Sequence, residues 1–169
     1  MNPSKMIQRP SLALLSVLAF LLPLMASAMT FAKPLTLFSA IDGRVTRAGQ
    51  PVAGARIERS YLWHWKDRRG KDEALTDSRG RFHFDPVTDS SFTARLVPHE
   101  PLVQQTLVIR LDGQEYLAWK YSKHNYADGG EFPGRALHLE CELDDPESYH
   151  LVDERAKLGY QGICRLLHD

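Results

Sequence analysis

An antiparallel β-sandwich, mainly β with one short C-terminal helix, is the fold class this sequence predicts, and three observations predict it. Apolar and polar residues alternate with period two in several separate runs. Turn clusters rich in Gly, Asp and Pro punctuate those runs at short intervals. A single pair of cysteines, Cys141 and Cys164, is available to staple the last part of the chain.

The first 28 residues stand outside that pattern. Lys5 and Arg9 precede an apolar run from Leu12 to Leu24 that ends on Ala26-Ser27-Ala28, the layout of a secretory signal peptide with cleavage expected after Ala28. The run is short for a membrane span and no comparable stretch follows, so no stable membrane anchor is expected after cleavage. The expected location is the periplasm, as an exported soluble protein. What remains, residues 29–169, is long enough for one domain with its own core. Its 19 basic and 21 acidic residues give a formal charge of −2, which argues against a nucleic-acid partner. Arg68-Arg69 beside Asp67, Asp72 and Glu73 reads as a solvated hairpin end.

The elements follow in order. Leu37 to Thr46 reads as a first strand, closed by a turn at Arg47-Ala48-Gly49-Gln50. From Ala55 the odd positions Ala55, Ile57, Tyr61, Trp63 and Trp65 form an apolar face, with Arg56, Glu58 and Ser60 opposite, so a strand is expected through Trp65. Arg59 interrupts the apolar face and is expected near an edge, or reaching out of the core along its stem. Thr76 to Gly80 is a turn, and Arg81-Phe82-His83-Phe84 alternates behind it. Leu107, Ile109 and Leu111 share a face, Asp112-Gly113 turns the chain, and Leu117, Trp119 and Tyr121 share the next; Asp-Gly between alternating runs is a strong hairpin signal. Leu137 to Leu143 alternates cleanly, with Cys141 on its apolar side. A helix is expected after Asp145 as cap and Pro146 as first position, ending at Gly159, before a final strand over Tyr160–Leu167.

In an oxidising compartment the cysteine pair is expected to form one structural disulfide closing a loop of 22 intervening residues. The loop-entropy model gives such a staple a value of about 3 kcal/mol. The longest loop expected is Lys123 to Gly134, with Asn125, Asp128-Gly129-Gly130 and Pro133-Gly134. Loops of that length in compact domains commonly carry function.

Three stretches together resemble a known module: Ile41-Asp42-Gly43-Arg44-Val45, then Gly49 to Ile57, then Thr76 to Phe84. Residues 41–84 are similar to the carboxypeptidase-regulatory-like modules of the transthyretin-like β-sandwich superfamily, with their G-x-V strand, G-x-P-V-x-G-A-x-V hairpin and T-D-x-x-G-x-F-x-F hairpin. Gly54 then permits a bulge or close approach, Gly80 supplies the turn, and Phe82 and Phe84 fill the core. With Phe38 to Gly43 and Ser60 to Trp65, the whole chain is similar to a group of small exported proteobacterial proteins. Some of that group resemble periplasmic immunity proteins that neutralise phospholipase effectors delivered by type VI secretion. Hydrolases of the transthyretin-like fold carry a terminal Tyr-Arg-Gly-Ser motif, which is not the Arg165-Leu166-Leu167-His168-Asp169 seen here, so the resemblance does not imply that activity.

A search for chemistry gives no catalytic residue, cofactor site or metal ligand set. His64, His83, His99, His124, His138, His150 and His168 are scattered without metal-ligand spacing, and His83 and His138 are expected to face outward. No G-x-S-x-G elbow, phosphate-binding loop or dinucleotide fingerprint is present. Glu140 and Glu142 flank Cys141 as solubilising residues of an exposed strand face. Binding is therefore the expected mode of action, without catalysis. Trp63, Trp65 and Trp119 are expected in the core, whereas His124, Tyr126, Asp128 and Glu131 in the long loop are the candidate partner contacts. The expected partner is another protein, a cognate secreted toxin. An envelope accessory or carbohydrate-binding module, and a small metal-dependent hydrolase, are the alternatives.

Overall fold

The computed structural model describes residues 33–132, 136–154 and 157–167, and the strands belong to a unit spanning Pro34–Asp169. The expected signal peptide, together with Pro133 and Gly134 of the long loop, lies outside the described residues. The strands are β1 (Leu35–Phe38), β2 (Ile41–Arg47), β3 (Gln50–Pro51), β4 (Arg56–Trp63), β5 (Arg68–Leu75), β6 (Arg81–Phe84), β7 (Val87–Asp89), β8 (Val103–Leu111), β9 (Gln114–Lys123), β10 (Leu137–Glu142), β11 (Ser148–Asp153), β12 (Leu158–Gly162) and β13 (Cys164–Leu166). A 3-10 turn at His64–Lys66 joins β4 to β5, and one short helix, α1 (Thr93–Leu96), precedes β8.

Two sheets carry the fold. One runs β13-β10-β2-β3, with β6 also paired to β2, and the other runs β11-β12-β9-β8-β4-β5; β1 and β7 form a small third ribbon. All pairings are antiparallel except β10 with β2, which is parallel from Leu137↔Ile41 to Glu142↔Thr46. Alternation gives each large sheet an apolar face. Ile41, Val45, Leu137 and Leu139 from one meet Ile57, Leu107, Ile109 and Trp119 from the other in a single buried cluster. Burying each such branched or aromatic side chain contributes roughly 1.5–3 kcal/mol. A second cluster of Leu35, Leu37, Trp63, Ala94 and Val103 closes one end. The fold is thus mainly β and sandwich-like, as the alternation predicts.

Several expected elements appear where their turn chemistry puts them. Asp112 and Gly113 both take positive φ (50° and 78°), the two-residue turn that matches strand twist, and join β8 to β9. Ala48 and Gly49 do the same between β2 and β3. Cys141 and Cys164 are directly paired across β10 and β13 and form the disulfide.

Four expectations are corrected. The segment after Pro146 is not a helix but the hairpin β11–β12. There Tyr149 packs on Gly159, His150 stacks on Tyr160 at 4.8 Å, and Lys157 takes a left-handed φ of 51° beside the turn. Those packing contacts override the capping signals, as tertiary context commonly does. The first strand is broken at Ser39-Ala40, so that β1 pairs with β7 while β2 pairs with β6 and β10. A register shift between β8 and β9 leaves Ala118 unpaired, so Leu117 does not share the inward face of Trp119 and Tyr121; the bulge buries Ala118 and Trp119 in succession. The strand from Ala55 stops at Trp63, and Trp65 sits in the 3-10 turn, where its ring stacks on His99 at 4.0 Å.

Arg59 keeps its stem in the core and reaches towards the edge strand β5, as its place in the apolar face predicts. It is 3% exposed, with its guanidinium against the Phe84 and Phe38 rings, two hydrogen bonds donated to Asp72 (2.9 and 2.5 Å) and one to the Asp85 carbonyl (2.7 Å). Asp72 lies on β5, so the head reaches the edge strand while the stem stays buried.

Candidate functional site

The loop after β9 is held by charge buried within the domain. Lys123, at the end of β9, and Glu131 are both fully buried and pair at 3.1 Å. Glu131 also accepts hydrogen bonds from the Ser39 backbone amide (3.0 Å), the Ser39 hydroxyl (2.6 Å) and the Gln105 side-chain amide (2.7 Å). Lys123 donates to the Ala127 carbonyl (2.7 Å), and the Gly129 amide donates to Ser39 Oγ (2.9 Å). Gln105 further donates to the Leu37 carbonyl, and Tyr121 to the Glu131 carbonyl. Desolvation pushes the Lys123 ammonium below its usual range, against the pull of Glu131. Burial, reinforced by the Glu131 charge, pushes the Tyr121 phenol up to about 12.

The break between β1 and β2 now has a reason. Ser39 turns the chain there so that its amide and hydroxyl both meet Glu131. Asn125 adds a local clamp, accepting from the Ala127 amide and donating to the Gly130 carbonyl. The segment 124–132 is therefore tied to β1, β8 and β9 along most of its length.

Tyr126 is half-buried at the end of the sandwich. The indole N–H of Trp63 donates to its hydroxyl (2.8 Å), and that hydroxyl lies 2.8 Å from His99 Nε2. His99 Nδ1 lies 2.9 Å from the Val97 carbonyl, which can only accept. Nδ1 therefore carries a proton, and one chain of hydrogen bonds runs from Trp63 through Tyr126 and His99 to Val97. Burial raises the Tyr126 phenol pKa, opposed by the Trp63 hydrogen bond. Beside this relay, Phe92 (70% exposed), Leu96 (63%) and Val97 (47%) stand open around α1, whose Ala94 is buried in the end cluster. His124 is exposed and 3.5 Å from Glu100, and Asp128 is exposed.

The four candidate contacts thus divide. His124 and Asp128 are surface residues, Tyr126 shows one edge, and Glu131 holds the loop from below with no exposed surface. Sequence reasoning missed Phe92, Leu96 and Val97, although three apolar residues at helical spacing in a polar stretch were a readable signal. It also missed the Ser39–Gln105–Lys123 set around Glu131, whose members lie 26 and more positions apart in several pairs and share no motif.

No cluster of three or more His, Cys, Asp or Glu able to hold a metal ion occurs among the described residues. His83 is exposed between Asp42 (2.8 Å) and Asp85 (3.5 Å), and the hydrogen bond to Asp42 leads in raising its pKa. The outer face of the six-stranded sheet forms a shallow concavity of about 510 Å³, lined by Ser60, Leu62, Gln104 and Thr106 with Arg69 and Lys71 at its rim.

A two-sheet β-domain with a buried ion pair locking one loop and a half-open aromatic end is the class of protein these features define. Residues 41–146 match the DUF6795 family, a domain of unknown function, and the chain belongs to that family. No curated protein and no solved structure shows significant similarity to it.

Proposed function

We propose that this is an exported binding protein that acts without catalysis, most concretely an immunity-type inhibitor of a secreted, phospholipase-like effector. The observation that carries the reading is the loop 124–132. The fully buried Lys123–Glu131 pair fixes a loop that exposes His124, Asp128 and one edge of Tyr126, and Tyr126 packs on the end cluster holding Ala94 of α1, the helix around which Phe92, Leu96 and Val97 are exposed. A rigid surface with aromatic and apolar anchors within a polar rim is what an inhibitor needs, because the ordering cost of binding has already been met on folding. The motif pattern of residues 41–84 supports a carboxypeptidase-regulatory-like, transthyretin-like module as the scaffold, and the leader-like residues 1–28 with the disulfide support export.

The test is co-expression with the product of the adjacent gene, followed by affinity capture from an envelope extract. The expected result is a one-to-one complex with a toxin-like enzyme whose activity is lost on binding, and which Phe92→Asp weakens by tenfold or more, on the order of an interface anchor. A toxin-like neighbour that is neither bound nor inhibited would overturn it. The concave sheet face favours a second reading, an envelope accessory module holding a carbohydrate. Capture of a glycan whose binding is lost on substitution at Ser60 or Thr106, and no protein partner, would support that instead.

A further inference from the structure

The side chains on the outer face of the six-stranded sheet fall into rows that run across its strands. One row reads Lys71, Ser60, Thr106, Lys120, Gln161 and Tyr149, each paired in register with the next from β5 to β11. Two residues along the strands, on the same face, Arg69, Leu62, Gln104 and Ser122 form a second row. The concavity of about 510 Å³ takes Lys71, Ser60 and Thr106 from the first row. A second, of about 330 Å³, takes Lys120, Gln161 and Tyr149, with Ser122, His124 and Lys157 around them. The two hollows therefore lie end to end on one stripe across the sheet.

The chemistry of the stripe is cationic and hydrogen-bonding, and neither row contains an acid. Lys71 is paired with Glu58 at 2.6 Å, and Arg69 lies 3.8 Å from Asp67, both acids reaching in from beside the rows. At the other end Glu147 accepts from the Gln161 amide (2.5 Å) and Glu100 lies 3.5 Å from His124. Lys120 and Lys157 are exposed and make no ion pair among the described residues. Between the cations stand Ser60, Thr106, Gln104 and Ser122, whose hydroxyls and amides both donate and accept. Tyr149, 61% exposed, adds an open ring at the β11 end. The main chains of β4 and β8 are paired on both sides, so a peptide finds no ladder to join in the middle of the stripe. A chain with hydroxyls and carboxylates along its length matches these side chains instead.

We propose that this stripe binds an extended acidic glycan, a chain of uronate-bearing sugars laid across the strands. Its carboxylates meet Lys120 and Lys157 at one end and Arg69 and Lys71 at the other, and its hydroxyls meet Ser60, Thr106 and Gln104 between them. Lys71 and Lys120 are three strands apart, about 14 Å at the ordinary strand spacing, so a chain and not a single sugar spans them. This rests on the carbohydrate reading of the sheet face and says which carbohydrate.

Calorimetric titration of the purified chain with galacturonate and mannuronate oligomers, at low and at high salt, tests it. At least one oligomer is expected to bind on the order of tenfold or more tightly than its monosaccharide, to weaken as salt rises, and to lose most of its affinity once its carboxyls are methyl-esterified. Lys120→Glu and Lys157→Glu, both at exposed positions, are each expected to weaken binding by on the order of tenfold. Leu75→Ser, exposed on the same face outside the stripe, leaves it unchanged. Equal binding of the esterified, neutral oligomers overturns the proposal and keeps the carbohydrate reading, whereas binding of neither form overturns both. An affinity that both lysine variants leave intact overturns the proposal as well.

Discussion

At Lys123 the fold places an ammonium where no water reaches, and the consequence falls on Glu131. Removing the lysine leaves a carboxylate buried with only neutral donors, the case in which breaking a buried pair costs about 3–5 kcal/mol. Lys123→Met is therefore expected to lower the urea midpoint strongly and to release the loop, read as faster amide exchange over residues 125–131. Tyr121 gives a pH signature. Its phenol holds its proton up to about 12 in the folded chain, against an ordinary value of 10. Between those values the unfolded chain binds fewer protons than the folded one, so this stabilisation is complete below pH 10 and is lost as pH rises through 12. Its size is about 2–3 kcal/mol, and Tyr121→Phe is expected to flatten the decline in urea midpoint between pH 9 and pH 12. Neither residue announces this in the sequence. Lys123 reads as an ordinary strand end, and Glu131 as a loop acid facing solvent, because burial is decided by Ser39 and Gln105, which are distant in the chain.

Among the elements, turns were the most legible. Asp112-Gly113, Ala48-Gly49 and the Asp77–Gly80 turn are local, and each fixes a strand pair from its own residues. Gly80 and Gly54 separate two meanings of a turn glycine. Both have φ of 75°, but a Cβ on Gly80 would run into the Val45 carbonyl, whereas Gly54 faces open space. Gly54→Ala is expected to cost about 1–2 kcal/mol from the left-handed backbone alone, and Gly80→Ala clearly more, measured by chemical unfolding. Gly54 is thus a conformational glycine and not a close approach. The β11–β12 hairpin was illegible for the opposite reason. Asp145, Pro146 and Gly159 form a helix signature that only the stacking of His150 on Tyr160 and of Tyr149 on Gly159 overrides. Likewise the bulge at Ala118 turns Leu117 outward, and there the backbone of Gly162 comes so close that an added Cβ would meet the Ala118 carbonyl. Period-two counting cannot register an extra residue of that kind.

For the molecule as a whole, alternation and turn spacing were enough to give a mainly β sandwich, because both sheets bury one face and show the other. The pairing of strands distant in the chain was not legible, and one such pairing has a kinetic consequence. The β4–β5 and β8–β9 hairpins join neighbours along the chain, but β2 lies parallel to β10, with Ile41 beside Leu137. That contact must await the last fifth of the polypeptide, and it carries a large loop-closure cost before any ladder hydrogen bond forms. The sheet of β4, β5, β8 and β9 is accordingly expected to be ordered in the folding transition state, with φ near 1 for Ile109→Val and near 0 for Leu139→Ala, and the reverse ranking would refute this order. A chain that emerges N-terminus first thus holds β2 with one edge open until its end arrives. During synthesis, that waiting strand is the point at which this protein is most exposed to aggregation and to capture by chaperones.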